Sequence, residues 1–198
     1  MDYRGIVEAE KVDNLTISKE NVNRKSQIPL FLERVTFWDR WKGIKNPKHS
    51  ALALLLWYSG VRVTEALELR KKHIDFQNGV CRVLHQKSRK WYERLIPLHN
   101  ELLVFLRAYT ATLKADDKLF PFSRQQAFMV IKKHFLVSPH ALRHSFAVNF
   151  IRQNKSPGGL KQLQNLLGHS NIGTTMIYLQ ALALDTQEAL NEIKMGAP

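Results

Sequence analysis

The chain has 198 residues, 44% hydrophobic and 24% charged, which supplies a core for one globular domain and excludes wholesale disorder. Lys+Arg number 30 against 17 Asp+Glu, so the net charge is +13 and an anionic partner is expected: nucleic acid first, an anionic membrane surface or a ribosome second. One cysteine excludes an internal disulfide and fits a reducing compartment. The longest apolar run, Ala51 to Tyr58, is too short for a membrane span, and the N-terminus MDYRGIVEAEKVDN lacks the apolar core of a secretory signal.

Residues 1–27 are polar and aperiodic and read as a tail or linker ahead of a domain over 28–198. Pro29 opens a helical pattern with Phe31, Val35 and Trp38 on one face, and Asn46-Pro47 breaks it. Ala51 to Tyr58, apolar all round, predicts a central core helix stopped at Ser59-Gly60. Thr64 is placed to cap the next helix, with Glu65 and Glu68 in its first turn.

After His73 the period changes. Val80 to Gln86 and Trp91 to Leu98 read as paired strands, with a turn at Gln77-Asn78-Gly79 before them and a basic loop, Lys87 to Lys90, between them. Asn100 can cap a helix through Tyr109. Ser123 to Gln126 is a capping box opening a helix with Phe128, Ile131 and Phe135 inward. Ser138-Pro139 starts a helix to about Gln153, which Lys155 to Gly159 ends. Leu160, Leu163 and Leu167 form a short helix closed by Gly168; a helix carrying Tyr178 follows, then an amphipathic one with Leu182, Ala189, Leu190 and Ile193. The expected fold is mostly α with a small antiparallel β-sheet.

His140, Arg143 and His144 share a helix face near a capped N-terminus, which makes an anion site. Two histidines at this spacing can also chelate zinc, but Arg143 sets a fixed charge beside them and no glutamate of an HExxH motif is present, so no metal is expected. Arg62 lies at a turn, where Glu65 could hold it by a bidentate pair. Taken singly, Arg62 reads as a surface or capping residue, His169 as a helix-terminal histidine, Tyr178 as a core or surface tyrosine, and Lys87 as a loop lysine.

Together they resemble the tyrosine recombinase (phage integrase) family over roughly residues 28–190. SGVRVTEALELR resembles its first arginine box, HALRHSFA its His-x-x-Arg box, and LLGHSNIGTTMIY the box ending in the nucleophilic tyrosine. The resemblance implies active-site roles for Arg62, Lys87, His140, Arg143, His169 and Tyr178, with Glu65 and His144 supporting. The lysine match departs from the family, whose hairpins often read Gly-Lys-Gly-x-Lys-x-Arg; Gln86-Lys87-Ser88-Arg89-Lys90 lacks the glycines and looks longer, so Lys90 is the alternative.

The implied chemistry is metal-free phosphoryl transfer on double-stranded DNA through a 3′-phosphotyrosine, without cofactor. The implied setting is a bacterial, archaeal or phage-encoded cytoplasmic protein, monomeric when free and assembled as a homo-tetramer on two DNA sites. Longer members add an N-terminal clamp domain for which residues 1–27 are too few; a short natural member or a catalytic fragment is expected. A DNA-binding module that no longer recombines and a type IB topoisomerase-like enzyme are the competing readings.

Overall fold

The computed structural model describes residues 29–87, 90–180, 182 and 185, with only the backbone of 85–87, 90, 91 and 157. The expected tail and the later part of the C-terminal amphipathic segment, with Ala189, Leu190 and Ile193, lie outside the described residues. The described residues divide into two compact units, one over 30–146 and one from 147 onward with Pro29. The mostly helical fold with a small antiparallel sheet is as expected.

In the first unit α1 (Arg34–Lys42), α2 (Pro47–Ser59) and α5 (Arg124–Phe135) share a core. α2 is buried on every side from Ser50 to Trp57, as its unbroken apolar run requires. Phe37 stacks on Trp57 at 4.0 Å and on Phe135 at 5.1 Å, joining the three helices through one aromatic column. Arg40 Nη1 donates to the Phe135 carbonyl at 2.7 Å and fixes α1 to the end of α5.

Two inward faces differ from expectation. α1 begins at Arg34 rather than near Pro29, so its buried residues are Thr36 and Phe37 while Val35 is 66% exposed. In α5 Ala127, Val130, Ile131 and Phe135 are buried and Phe128 is 43% exposed. An apolar stripe wider than the buried face left the helix rotation undecided by periodicity alone.

The sheet has three antiparallel strands in the order β1 (Ile74–Asp75), β2 (Val80–Lys87), β3 (Lys90–Pro97). β1 is too short to have shown in the sequence. The turn before β2 forms as expected, with Gly79 at φ 68°. The strands reach further into the basic stretch than expected: β2 runs through Lys87, β3 starts at Lys90, and these two are register partners. Continuing the ladder pairs backbone groups that a wider loop would leave to solvent, and a two-residue connection is the commonest for a hairpin.

α4 (Asn100–Tyr109) is capped by His99, whose ring accepts from the Glu101 N–H, one residue before the predicted cap. α6 (Pro139–Gln153) starts and ends where the sequence placed it. Its first turns are anchored by Ser145 Oγ, which accepts from the Leu32 N–H at 2.7 Å and donates to the Ala141 carbonyl at 2.8 Å.

The second unit contains the end of α6, α7 (Pro157–Leu167) and α8 (Gly173–Met176). α7 begins at Pro157, capped by Ser156, so Pro157-Gly158-Gly159 opens a helix where a breaker was expected. Gly159 is required there because a Cβ would collide with the Asn154 backbone. Tyr178 lies in a turn just past α8, not within a helix as predicted. Arg152 holds Asp185 by a bidentate pair, Nε to Oδ2 at 2.8 Å and Nη2 to Oδ1 at 2.7 Å.

Candidate active site

Gly60 ends α2 in the left-handed region, at φ 60°, a conformation glycine adopts without strain. The chain then turns through Val61 into α3 (Val63–Glu68), with Arg62 as N-cap. Thr64 is therefore not the cap. Glu65 Oε2, at the third helical position, reaches back to accept the Arg62 N–H at 2.7 Å, the acid half of a capping box. Arg62 Nη1 donates to Glu65 Oε1 at 3.0 Å.

The bidentate partner of Glu65 is Arg94 on β3, not Arg62. Arg94 Nη1 donates to Oε1 at 2.9 Å and Nη2 to Oε2 at 2.8 Å. Burial pushes the Glu65 carboxyl up, but the hydrogen bonds and charge of Arg94, and then of Arg62, outweigh it and hold the pKa at about 2. Arg94 is not among the site residues expected from the sequence. Its signal was parity: Arg94 shares the inward side of β3 with buried Ile96, and an inward arginine needs an acceptor.

Arg143 on α6 is 2% exposed, and its Nη1 donates to the Gly60 carbonyl at 2.6 Å. The two arginines thus meet the same short turn, Arg143 at its first residue and Arg62 at its last. His140 lies one helical turn before Arg143. Its pKa is lowered by burial and then by the charges of Arg143 and Arg62, so the imidazole is neutral near pH 7. The His140 and His144 rings meet edge to face at 5.2 Å. The first unit therefore gathers Arg62, Glu65, His140, Arg143 and His144, and adds Arg94. For Lys87 and Lys90 the backbone pairing is defined, and their side chains lie outside the described residues.

In the second unit Gly168 closes α7 at φ 65°. The His169 N–H donates to the Gln164 carbonyl at 3.1 Å, and Gln164 Nε2 donates to the His169 carbonyl at 3.0 Å, which clamps this backbone. His169 Nδ1 lies 2.9 Å from Thr175 Oγ1, and the Thr175 carbonyl accepts the Tyr178 N–H at 3.2 Å. Fully buried Thr175 thus connects His169 to Tyr178, a link missed in the sequence because threonine has no distinctive spacing there. Tyr178 is 1% exposed.

Among the described residues no group of three or more His, Cys, Asp or Glu is placed to hold a metal ion, and no helix is long and apolar enough to cross a membrane. A permanently charged guanidinium pair beside a neutral imidazole suits an oxyanion such as a phosphate.

Residues 42–184 match the profile of the phage integrase family. The chain belongs to that family. This integrase-family chain is 30% identical over 168 residues to the tyrosine recombinase XerA of Pyrococcus horikoshii, an alignment covering 76% of this chain and 56% of the relative. The chain spans about half the length of the curated relatives it matches. Its fold is that of a XerA recombinase crystal structure (TM-score 0.68, 22% identity, 85% of this chain and 66% of that one). It also matches the catalytic domain of bacteriophage HP1 integrase (TM-score 0.60, 22% identity, 85% of this chain and 98% of that one).

Proposed function

We propose that residues 28–198 form the catalytic domain of a site-specific recombinase that cleaves and rejoins double-stranded DNA. The Tyr178 phenolic oxygen attacks a backbone phosphorus, and the bond from phosphorus to the 5′ oxygen breaks. A 3′-phosphotyrosine forms, and the 5′ oxygen leaves as a hydroxyl after taking a proton from Lys87. The phenolic proton passes to His140 or His169; burial and the neighbouring guanidinium charges keep His140 neutral and able to accept it. Reversal with a different 5′-hydroxyl joins a new strand, and the bond energy is conserved throughout. Arg62 and Arg143 hold the non-bridging oxygens, where negative charge grows in the transition state; loss of one such donor typically costs about 3–4 kcal/mol.

The observation that carries this reading is the meeting of Arg62 and Arg143 at the Gly60–Arg62 turn. Family membership and the charge of +13 support DNA as the substrate. Recombination joins two sites, each bound by two subunits, so a homo-tetramer built on DNA from free monomers belongs to the same proposal.

A nicked suicide substrate tests it. The leaving strand diffuses away and traps the covalent adduct, visible as a protein–DNA band under denaturing conditions. The native chain should form the adduct, and Tyr178→Phe should bind DNA without forming it. A native chain that binds and yields no adduct is a binding module, and the recombinase reading fails.

A further inference from the structure

Glu65 is buried and accepts four hydrogen bonds, two from Arg62 (backbone N–H and Nη1) and two from Arg94 (Nη1 and Nη2). A carboxylate has about four lone-pair sites, so this one is saturated. The three side chains together carry one net positive charge.

That charge is not shared evenly. Arg94 is 12% exposed at its side chain, both terminal nitrogens donate to Glu65, and its buried Nε has no acceptor among the described residues. Its guanidinium is therefore far less accessible to a substrate than that of Arg62. Arg62 is 37% exposed at its side chain and gives Glu65 only Nη1, so its Nη2 and Nε have no partner among the described residues.

We propose that Arg94 is a positioning residue that neutralises Glu65 and thereby leaves the charge of Arg62 available to the scissile phosphate. This rests on the recombinase reading above. Without Arg94, Arg62 becomes the sole counter-charge of a buried carboxylate. An unpaired buried charge is costly enough to draw the guanidinium inward and offset its charge. Arg94 also ties the turn bearing Arg62 to the strand that begins at Lys90, so the hairpin and the arginine turn keep one geometry.

The test is a double-mutant cycle on the full chain, with Arg62→Ala, Arg94→Met and the pair, read by the single-turnover rate of adduct formation and by equilibrium binding to a short duplex. Arg94→Met should lower the adduct rate about tenfold or more, the size of a strong coupling between contacting charges, and should add little to the loss already caused by Arg62→Ala. Adding Glu65→Gln to Arg94→Met should restore part of the rate, because the competing charge is gone. The rate of Arg94→Met relative to the native chain should also recover as the pH falls, since a Glu65 that has lost Arg94 takes up a proton more readily.

Additive losses in the cycle, no recovery with Glu65→Gln and a constant ratio across pH would overturn the assignment and leave Arg94 a purely structural contact. Should Arg94→Met fail to fold by circular dichroism, Arg94→Lys and the Glu65→Gln/Arg94→Met pair carry the same comparison. A native chain that forms no adduct removes the recombinase reading instead. The duplex-binding cycle then decides the assignment by itself, because a freed Arg62 is still one phosphate contact.

Discussion

Arg143 donates to the carbonyl of Gly60 at 2.6 Å, so a buried arginine on α6 holds in place the left-handed residue that ends α2. Arg62 follows two residues later, so the bond ties Arg143 to the turn from which Arg62 projects. Arg143→Lys keeps the charge but loses the planar fork. The adduct rate should fall about 10²- to 10³-fold, as for loss of a transition-state donor. Gly60→Ala should lower stability by about 1–2 kcal/mol through the left-handed backbone and slow cleavage as well. Urea denaturation and the suicide-substrate assay, run on the same preparations, separate the two effects.

The pH dependence of stability follows from Glu65. Its folded pKa, about 2, lies below the ordinary 4.5. A depressed carboxyl contributes stability that is fully present above the unfolded value and is lost as the pH falls through the folded one. The shift corresponds to about 3 kcal/mol, withdrawn between about pH 5 and pH 2. Urea denaturation over that range should show this loss, and Glu65→Gln should be less stable at neutral pH with a shallower acid limb. Parallel acid limbs in the two proteins would place the titrating group elsewhere.

Lys87 and Lys90 face each other in the register of β2 and β3, so either backbone position brings a cation to the same end of the hairpin. The expected general acid is Lys87. A substrate with sulfur in place of the bridging 5′ oxygen expels a thiolate that needs no proton. Lys87→Ala should cleave the ordinary substrate poorly and the sulfur substrate well, and Lys90→Ala should weaken DNA affinity in both. Rescue of Lys90→Ala alone would exchange the two roles.

The ion pair from Arg152 to Asp185 keeps the start of the C-terminal segment on its own unit, which sets where a truncation can be made. Cutting after Asp185 preserves that pair and removes Ala189, Leu190 and Ile193 of the predicted apolar stripe. The truncated chain should keep its circular dichroism spectrum and single-site binding, while losing two-site complexes in gel shifts and strand exchange. Undiminished recombination would show that the stripe does not join subunits, and unfolding would show that it packs in cis.

The sequence alone determined many of the features that depend on neighbours a few residues apart, though not the caps of α3 and α4 or the helix opening at Pro157. The all-apolar run of α2, the glycines ending α2 and α7, the Ser123 capping box and the α6 face bearing His140, Arg143 and His144 were all legible, because a helix turn or cap is a local bargain between adjacent backbone groups and side chains. The family boxes were legible for the same reason, being short strings. What tertiary structure decided was pairing across distance. Arg94 meets Glu65 over 29 residues and Arg143 meets Gly60 over 83. The rotation that turns Val35 and Phe128 outward was likewise settled by packing of whole helices. A buried carboxylate will accept any arginine that the fold delivers, and a strand's partner depends on register rather than composition, so these choices become definite only when the elements pack.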